Sequence, residues 1–234
     1  MADRPKLAEQ SDGDVLERWE EHLGDLWREV VQIKMQRQLF KELDGEIGRA
    51  KVSGSDLVTD YLRRSYRDTQ AMAIRTLVDR DLRSRSFYNL LEEMAQRCSL
   101  LSRERFRIRH KLNEKDAAEL GIQEDDLTVY DKFDKIAGGP DVAHVPASVF
   151  YDYQDQLVEA VGAVKRFTDK LIAHRDLRSA PELTWGELDG AIDSLESHVN
   201  NVALALNGIY LMTDTRLPTD WREVFRRGLF IDPE

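Results

Sequence analysis

Apolar residues recur along the chain at alternating steps of three and four, the spacing that puts them on one face of an α-helix. The first such seam runs Leu16, Trp19, Leu23, Leu26, Val30, Ile33, then Phe40 and Ile47. Arg37 and Asp44 interrupt it, so its last third is expected to bend or to face water. Ser53-Gly54-Ser55 ends the element and offers a cap for the next. A second seam follows at Val58, Leu62, Ser65, Thr69, Met72 and Thr76, flanked by Leu57, Tyr61, Ala73, Ile74 and Leu77. Asp79-Arg80-Asp81 breaks it. Ser84 or Ser86 then caps a shorter helix through Leu90, Leu91 and Met94, and Ser102 starts another that carries Phe106 and Ile108.

Residues 112–145 differ in character, with nine acids against three bases and the turn-forming Gly138-Gly139-Pro140. They read as an irregular acidic insertion of short helices and loop that ends at Pro146. The third seam has no interruption: Phe150, Tyr153, Leu157, Ala160, Val164, Phe167, Leu171, His174. Ser179-Ala180-Pro181 breaks it. Thr184-Trp185-Gly186-Glu187 fits a capping box, and a fourth seam follows at Leu188, Ile192, Leu195, Val199, Val202, Leu206 and Ile209. A short helix around Trp221, Val224 and Phe225 is expected to close the bundle. The fold expected is therefore all-α, about four long helices with short accessory helices. Residues 1–13 are polar and expected to be flexible, and 14–234 to form one domain.

Composition narrows the class. The chain has 234 residues, 34 Lys+Arg against 44 Asp+Glu, and a net charge of −10. Hydrophobic residues at 41% suffice for a packed core and exclude a disordered chain. The acidity argues against a general nucleic-acid coat protein. The single Cys98 excludes a disulfide framework and a Cys-based metal site within one chain, and fits a reducing compartment. No run reaches the ~18 apolar residues of a membrane span, and the first residues carry no apolar leader. A cytoplasmic location away from membranes is expected. There is no Gly-rich phosphate loop, no His-Glu-x-x-His and no Glu-x-x-His pair, so neither a metal nor a cofactor is expected.

Candidate chemistry centres on His174, which continues the third seam while its neighbours are polar. Arg166, Lys170 and His174 recur every four residues as one stripe, and Arg175, Asp176 and Arg178 follow. A histidine beside fixed cations can hold a phosphate and exchange a proton, which metal-free RNA cleavage requires. The alternative is a core histidine bonded to its neighbours. Residues 97–111, including Arg103, Arg105, Arg107 and Arg109, carry a net +5, and residues 61–85 a net +4. If these runs flank His174 they form an RNA track whose binding weakens steeply with salt; otherwise they are solvated surface. His110 is read as a surface residue. Trp19 is assigned to the core, Trp27 to an interface, and Trp185 to packing over the preceding loop.

The segment Phe167-Thr168-Asp169-Lys170-Leu171-Ile172-Ala173-His174-Arg175-Asp176 resembles the signature of the abortive-infection branch of the HEPN superfamily (higher eukaryotes and prokaryotes nucleotide-binding domain). Ala73-Ile74-Arg75-Thr76-Leu77-Val78-Asp79-Arg80-Asp81, Ser86-Phe87-Tyr88-Asn89-Leu90-Leu91, Leu183-Thr184-Trp185-Gly186-Glu187-Leu188 and Leu217-Pro218-Thr219-Asp220-Trp221 extend the likeness. The resemblance implies a HEPN-like bundle, commonly a homodimer. In active members paired Arg-x4–6-His motifs cut RNA without metal. The ribose 2′-OH attacks the adjacent phosphate, the His is base or acid, and the Arg stabilises the developing charge. It further implies phage defence or a toxin–antitoxin role, with RNA as substrate and a neutralising protein as partner. This sequence departs from the motif. The arginine slots before His174 hold Asp169, Thr168 and Phe167, so the cation must come from Arg166, Lys170, or another helix, where Arg75 is the candidate. Arg75 has a plainer role open to it, an ion pair with Asp79 at i+4. The competing expectation is a catalytically inactive module of the same fold that dimerises or holds a protein or RNA partner.

Overall fold

The structure, a computed structural model, describes residues 11–50, 55–110, 129–173, 182–211 and 217. Among these residues it is all-helical: α1 (Asp12–Ala50), α2 (Ser55–Leu77), α3 (Phe87–Gln96), α4 (103–110), α5 (Val129–Ala137), α6 (Ala147–Ala160), α7 (Gly162–Ala173) and α8 (Trp185–Asn207). A one-turn 3-10 helix, Cys98–Leu100, joins α3 to α4. Of the segments with expectations attached, 1–10, 51–54, 111–128, 174–181 and 218–234 lie outside the described residues.

The seam of α1 is buried as the periodicity predicts, with Trp19, Leu23, Leu26, Val30 and Ile33 in the core. The helix starts earlier than expected, at Asp12, because Ser11 and Asp14 cap it reciprocally. Beyond Ile33 it continues unbroken. Arg37, expected to interrupt the seam, instead donates to Asp193 at 2.6 Å, and Lys41 meets Asp189 at 2.7 Å. With Lys34 on Glu196, these pairs lay α8 antiparallel along α1.

The second seam faces the wrong way. The buried stripe of α2 is Gln70, Ala71, Ile74 and Leu77, while Val58, Thr69, Met72 and Thr76 are exposed. Two stripes with the same helical spacing compete here. The one rich in hydroxyls loses, since Ser and Thr cost little left in water. Its rival also gives its polar member a donor bond, for buried Gln70 donates to Gln36 at 2.6 Å, although its own amide oxygen is left without a partner.

The third seam forms two helices rather than one. The chain hitches at Val161, between α6 and α7, and the apolar phase carries through it. The halves have different partners: α6 packs chiefly on α3 and α8, α7 on α2 and α8. The fourth seam is helix α8 as expected, entered through the capping box at Thr184 and Glu187 and left through Gly208 at φ +73°. In the acidic insertion, α5 buries Phe133, Ile136 and Ala137. No helix among the described residues is long and apolar enough to cross a membrane.

Candidate active site

His174 and Arg175 lie outside the described residues; the helix leading to them does not. On α7, Val164 and Phe167 face the core, while Lys165, Arg166, Asp169 and Lys170 are exposed. Arg166 and Lys170 therefore share the outer face, as their four-residue spacing requires. The three arginine slots have three fates. Phe167 is buried, with the Arg67 guanidinium 4.9 Å from its ring centroid. Thr168 is buried, and its hydroxyl donates to the carbonyls of Val164 at 3.1 Å and Lys165 at 3.0 Å. Only Asp169 reaches the surface, and a guanidinium comes to it from the neighbouring helix: Arg75 Nε lies 3.5 Å from Asp169 Oδ1.

The pair between Arg75 and Asp79 is also present, Nη1 donating to Oδ1 at 3.2 Å. Arg75 thus bridges carboxylates on both sides of the contact between α2 and α7. Burial pushes the Asp79 carboxyl up, but the Asp81 N–H and the Arg75 guanidinium outweigh it and hold the group below the usual carboxylate range. The loop after α2 is a built unit. Ser86 donates to the Asp79 carbonyl and caps α3 by accepting from Asn89 N–H. Buried Asn89 donates to the carbonyls of Asp81 at 2.7 Å and Ser84 at 3.0 Å. The strings Ala73–Asp81 and Ser86–Leu91, separate in sequence, form one scaffold under Arg75.

At the start of α8, Thr184 N–H and hydroxyl bond the Glu187 carboxylate and hold its pKa low, and Arg166 adds a smaller push in the same direction. Arg166 therefore lies toward the α8 N-terminus, whereas Arg75 reaches α7 from α2.

The arginines of α4 are engaged elsewhere. Arg103 pairs with Asp134, donates to the carbonyls of Gly139 and Val142, and covers the Phe133 ring. Arg105 donates to Glu20 and to the Leu206 carbonyl, Arg109 to Glu20, and Arg107 to Glu104. As phosphate contacts they would have to give up these bonds. Acidic side chains lock α4 onto α1 and α5, and the Leu206 carbonyl ties it to α8.

His110, expected at the surface, is buried at 1% exposure, with Nε2 3.3 Å from Lys132 Nζ and its ring against Phe106. The helix turns Phe106 and His110, four apart, inward. His198 is likewise buried, with Nδ1 donating to the Ser194 carbonyl at 2.7 Å and Nε2 3.1 Å from the Gln156 amide. Burial lowers its pKa, only partly opposed by the Ser194 bond. Among the described residues no three His, Cys, Asp or Glu side chains converge as a metal site would need.

The aromatic residues Phe40, Tyr66 and Trp185, which sequence reading did not group, meet where α1, α2 and α8 converge. No spacing within one helix could have revealed a cluster drawn from three. No family model matches the chain, and no curated protein or solved structure matches it either.

Proposed function

We propose that the protein is a HEPN-like ribonuclease of defence or toxin type that cleaves RNA without metal. His174 is its general acid or base, and Arg75 stands in for the missing motif arginine. The observation that carries this reading is the ion pair between Arg75 and Asp169. Asp169 lies five residues before His174, in a slot where the motif has its arginine. The guanidinium that the sequence lacks at that slot is delivered to it across the helix contact. Arg166 and Lys170, exposed on the same helix, hold the flanking phosphates, and Arg175 follows His174 directly. The 2′-OH loses its proton to one imidazole, attacks phosphorus and expels the 5′-oxygen, which takes a proton as it leaves. The products are a 2′,3′-cyclic phosphate and a 5′-hydroxyl. A cytoplasmic site and a neutralising partner protein accompany this reading.

The test is cleavage of single-stranded RNA with divalent metal chelated, followed by end-group analysis. Wild type is expected to leave cyclic phosphate ends and His174→Ala none; equal behaviour of the two overturns the assignment.

A second reading, an inactive module of the same fold, is favoured by a different observation. Leu57, Val58 and Tyr61 are 79%, 54% and 70% exposed at the start of α2, an apolar stripe without cover in a single chain. A second copy of the chain is the cover proposed, making a homodimer.

A further inference from the structure

A narrow cleft of about 190 Å3 opens between α1, α2 and the start of α8. Phe40 and Tyr66 stack with centroids 4.0 Å apart and planes 2° from parallel, and Trp185 leans over both at 5.4 and 6.0 Å. Trp185 is 44% exposed, a large cost for the first residue of a helix whose next apolar neighbours are sealed. Core packing alone does not require three rings at an open surface.

The polar atoms around the rings are unevenly satisfied. Asp44 receives Arg63 through Nε at 2.8 Å and Nη2 at 3.2 Å. Asp189 Oδ2 receives Lys41 at 2.7 Å, but its Oδ1 lies 3.7 Å from Arg37 Nη1, beyond hydrogen-bond reach. The Tyr66 hydroxyl is buried without a partner. Burial and the nearby Asp189 both raise its pKa, so it stays a donor at any ordinary pH. The cleft thus offers π faces and one carboxylate oxygen, with its acidic charges already matched by Arg37, Lys41 and Arg63, while the Tyr66 hydroxyl lies sealed beneath the rings.

We propose that this cleft is a stacking site for one nucleobase of single-stranded RNA. A neutral planar ring gains the aromatic faces without displacing an ion pair, and its edge carries N–H groups that Asp189 Oδ1 can accept. A guanidinium or ammonium group would have to compete with Arg37, Lys41 and Arg63, which already sit on the two carboxylates. Aromatic stacking of this kind is general in single-strand recognition and tolerant of sequence. The choice of RNA rests on the ribonuclease reading above. Position agrees with it: Trp185 begins α8 two residues before Glu187, which feels the Arg166 charge.

The experiment measures affinity of the His174→Ala protein for a labelled ten-nucleotide RNA and for the same backbone without bases, by anisotropy at one fixed salt concentration. Adding Trp185→Ala is expected to weaken the base-bearing RNA about tenfold and leave the abasic strand unchanged. Trp185→Phe keeps a stacking ring and is expected to retain most of the affinity, which separates loss of stacking from loss of fold. Equal affinity of the proteins with and without Trp185, or quenching of Trp185 by N-acetylarginine amide but not by RNA, overturns the proposal. Weakened binding with no cleavage by wild type would leave the stacking site standing and remove the nuclease. Intact cleavage with binding indifferent to Trp185 would do the reverse.

Discussion

Two histidines show how residue chemistry is set by surroundings that no spacing announces. His198 is held neutral by burial, and so is His22, whose Nε2 is buried without a partner. A histidine whose folded pKa lies below its ordinary value is protonated first in the unfolded chain. Its contribution is full above about pH 6.5 and is lost as pH falls toward the folded value. Thermal midpoints are therefore expected to be level from pH 8 to 7 and to drop between pH 6.5 and 5.5, with His198→Gln flattening part of the drop. A midpoint that rises on acidification contradicts the assignment of neutral rings. Sequence could supply the place of His198 on α8 but not its state, because Gln156 and Tyr153 reach it from another helix. His110, expected at the surface, is covered by Lys132 on another helix, a contact that local spacing does not show.

The elements were largely legible where one face is uniformly apolar, as in α1 and α8. They were illegible where two stripes compete, as in α2, and where one seam serves two partners, as in the hitch at Val161. The signals at helix ends were the most dependable, because a cap is a local hydrogen bond. Thr184→Ala removes the acceptor for Glu187 N–H and is expected to cost about 1 kcal/mol, about 2–4 °C in Tm. At the other end of α8, Gly208 has φ +73°, and an added Cβ would sit 3.1 Å from His110 N and 3.2 Å from its Cα, both backbone atoms of α4. Gly208→Ala therefore meets left-handed strain and a contact that cannot swing aside. It is expected to cost more than the ~1–2 kcal/mol of the backbone conformation alone. Equal stability of Thr184→Ala and Gly208→Ala in chemical denaturation would contradict this ranking.

At the scale of the molecule, charge is organised rather than merely negative. Glu20 on α1 and Asp134 on α5 neutralise three arginines of α4 and stitch the bundle, while the outer face of α7 keeps Arg166 and Lys170 exposed. Each arginine of the α4 run thus has a protein partner in the single chain. The exposed α2 stripe belongs to the same scale. Leu57→Asp with Tyr61→Asp is expected to shift the sedimenting species from dimer to monomer without lowering the Tm of the single chain, and an unchanged mass contradicts the dimer. The all-helical class could be read from periodicity; the pairing of Arg75 with Asp169 could not, since 94 residues separate them and only the packing of α2 on α7 joins them. The most direct measurement moves that guanidinium. Metal-free RNA cleavage is expected to be lost in Arg75→Ala and regained in part when Asp169→Arg is added, which puts an arginine back into the motif slot. Full activity in Arg75→Ala, or no recovery in a folded double variant, contradicts the account.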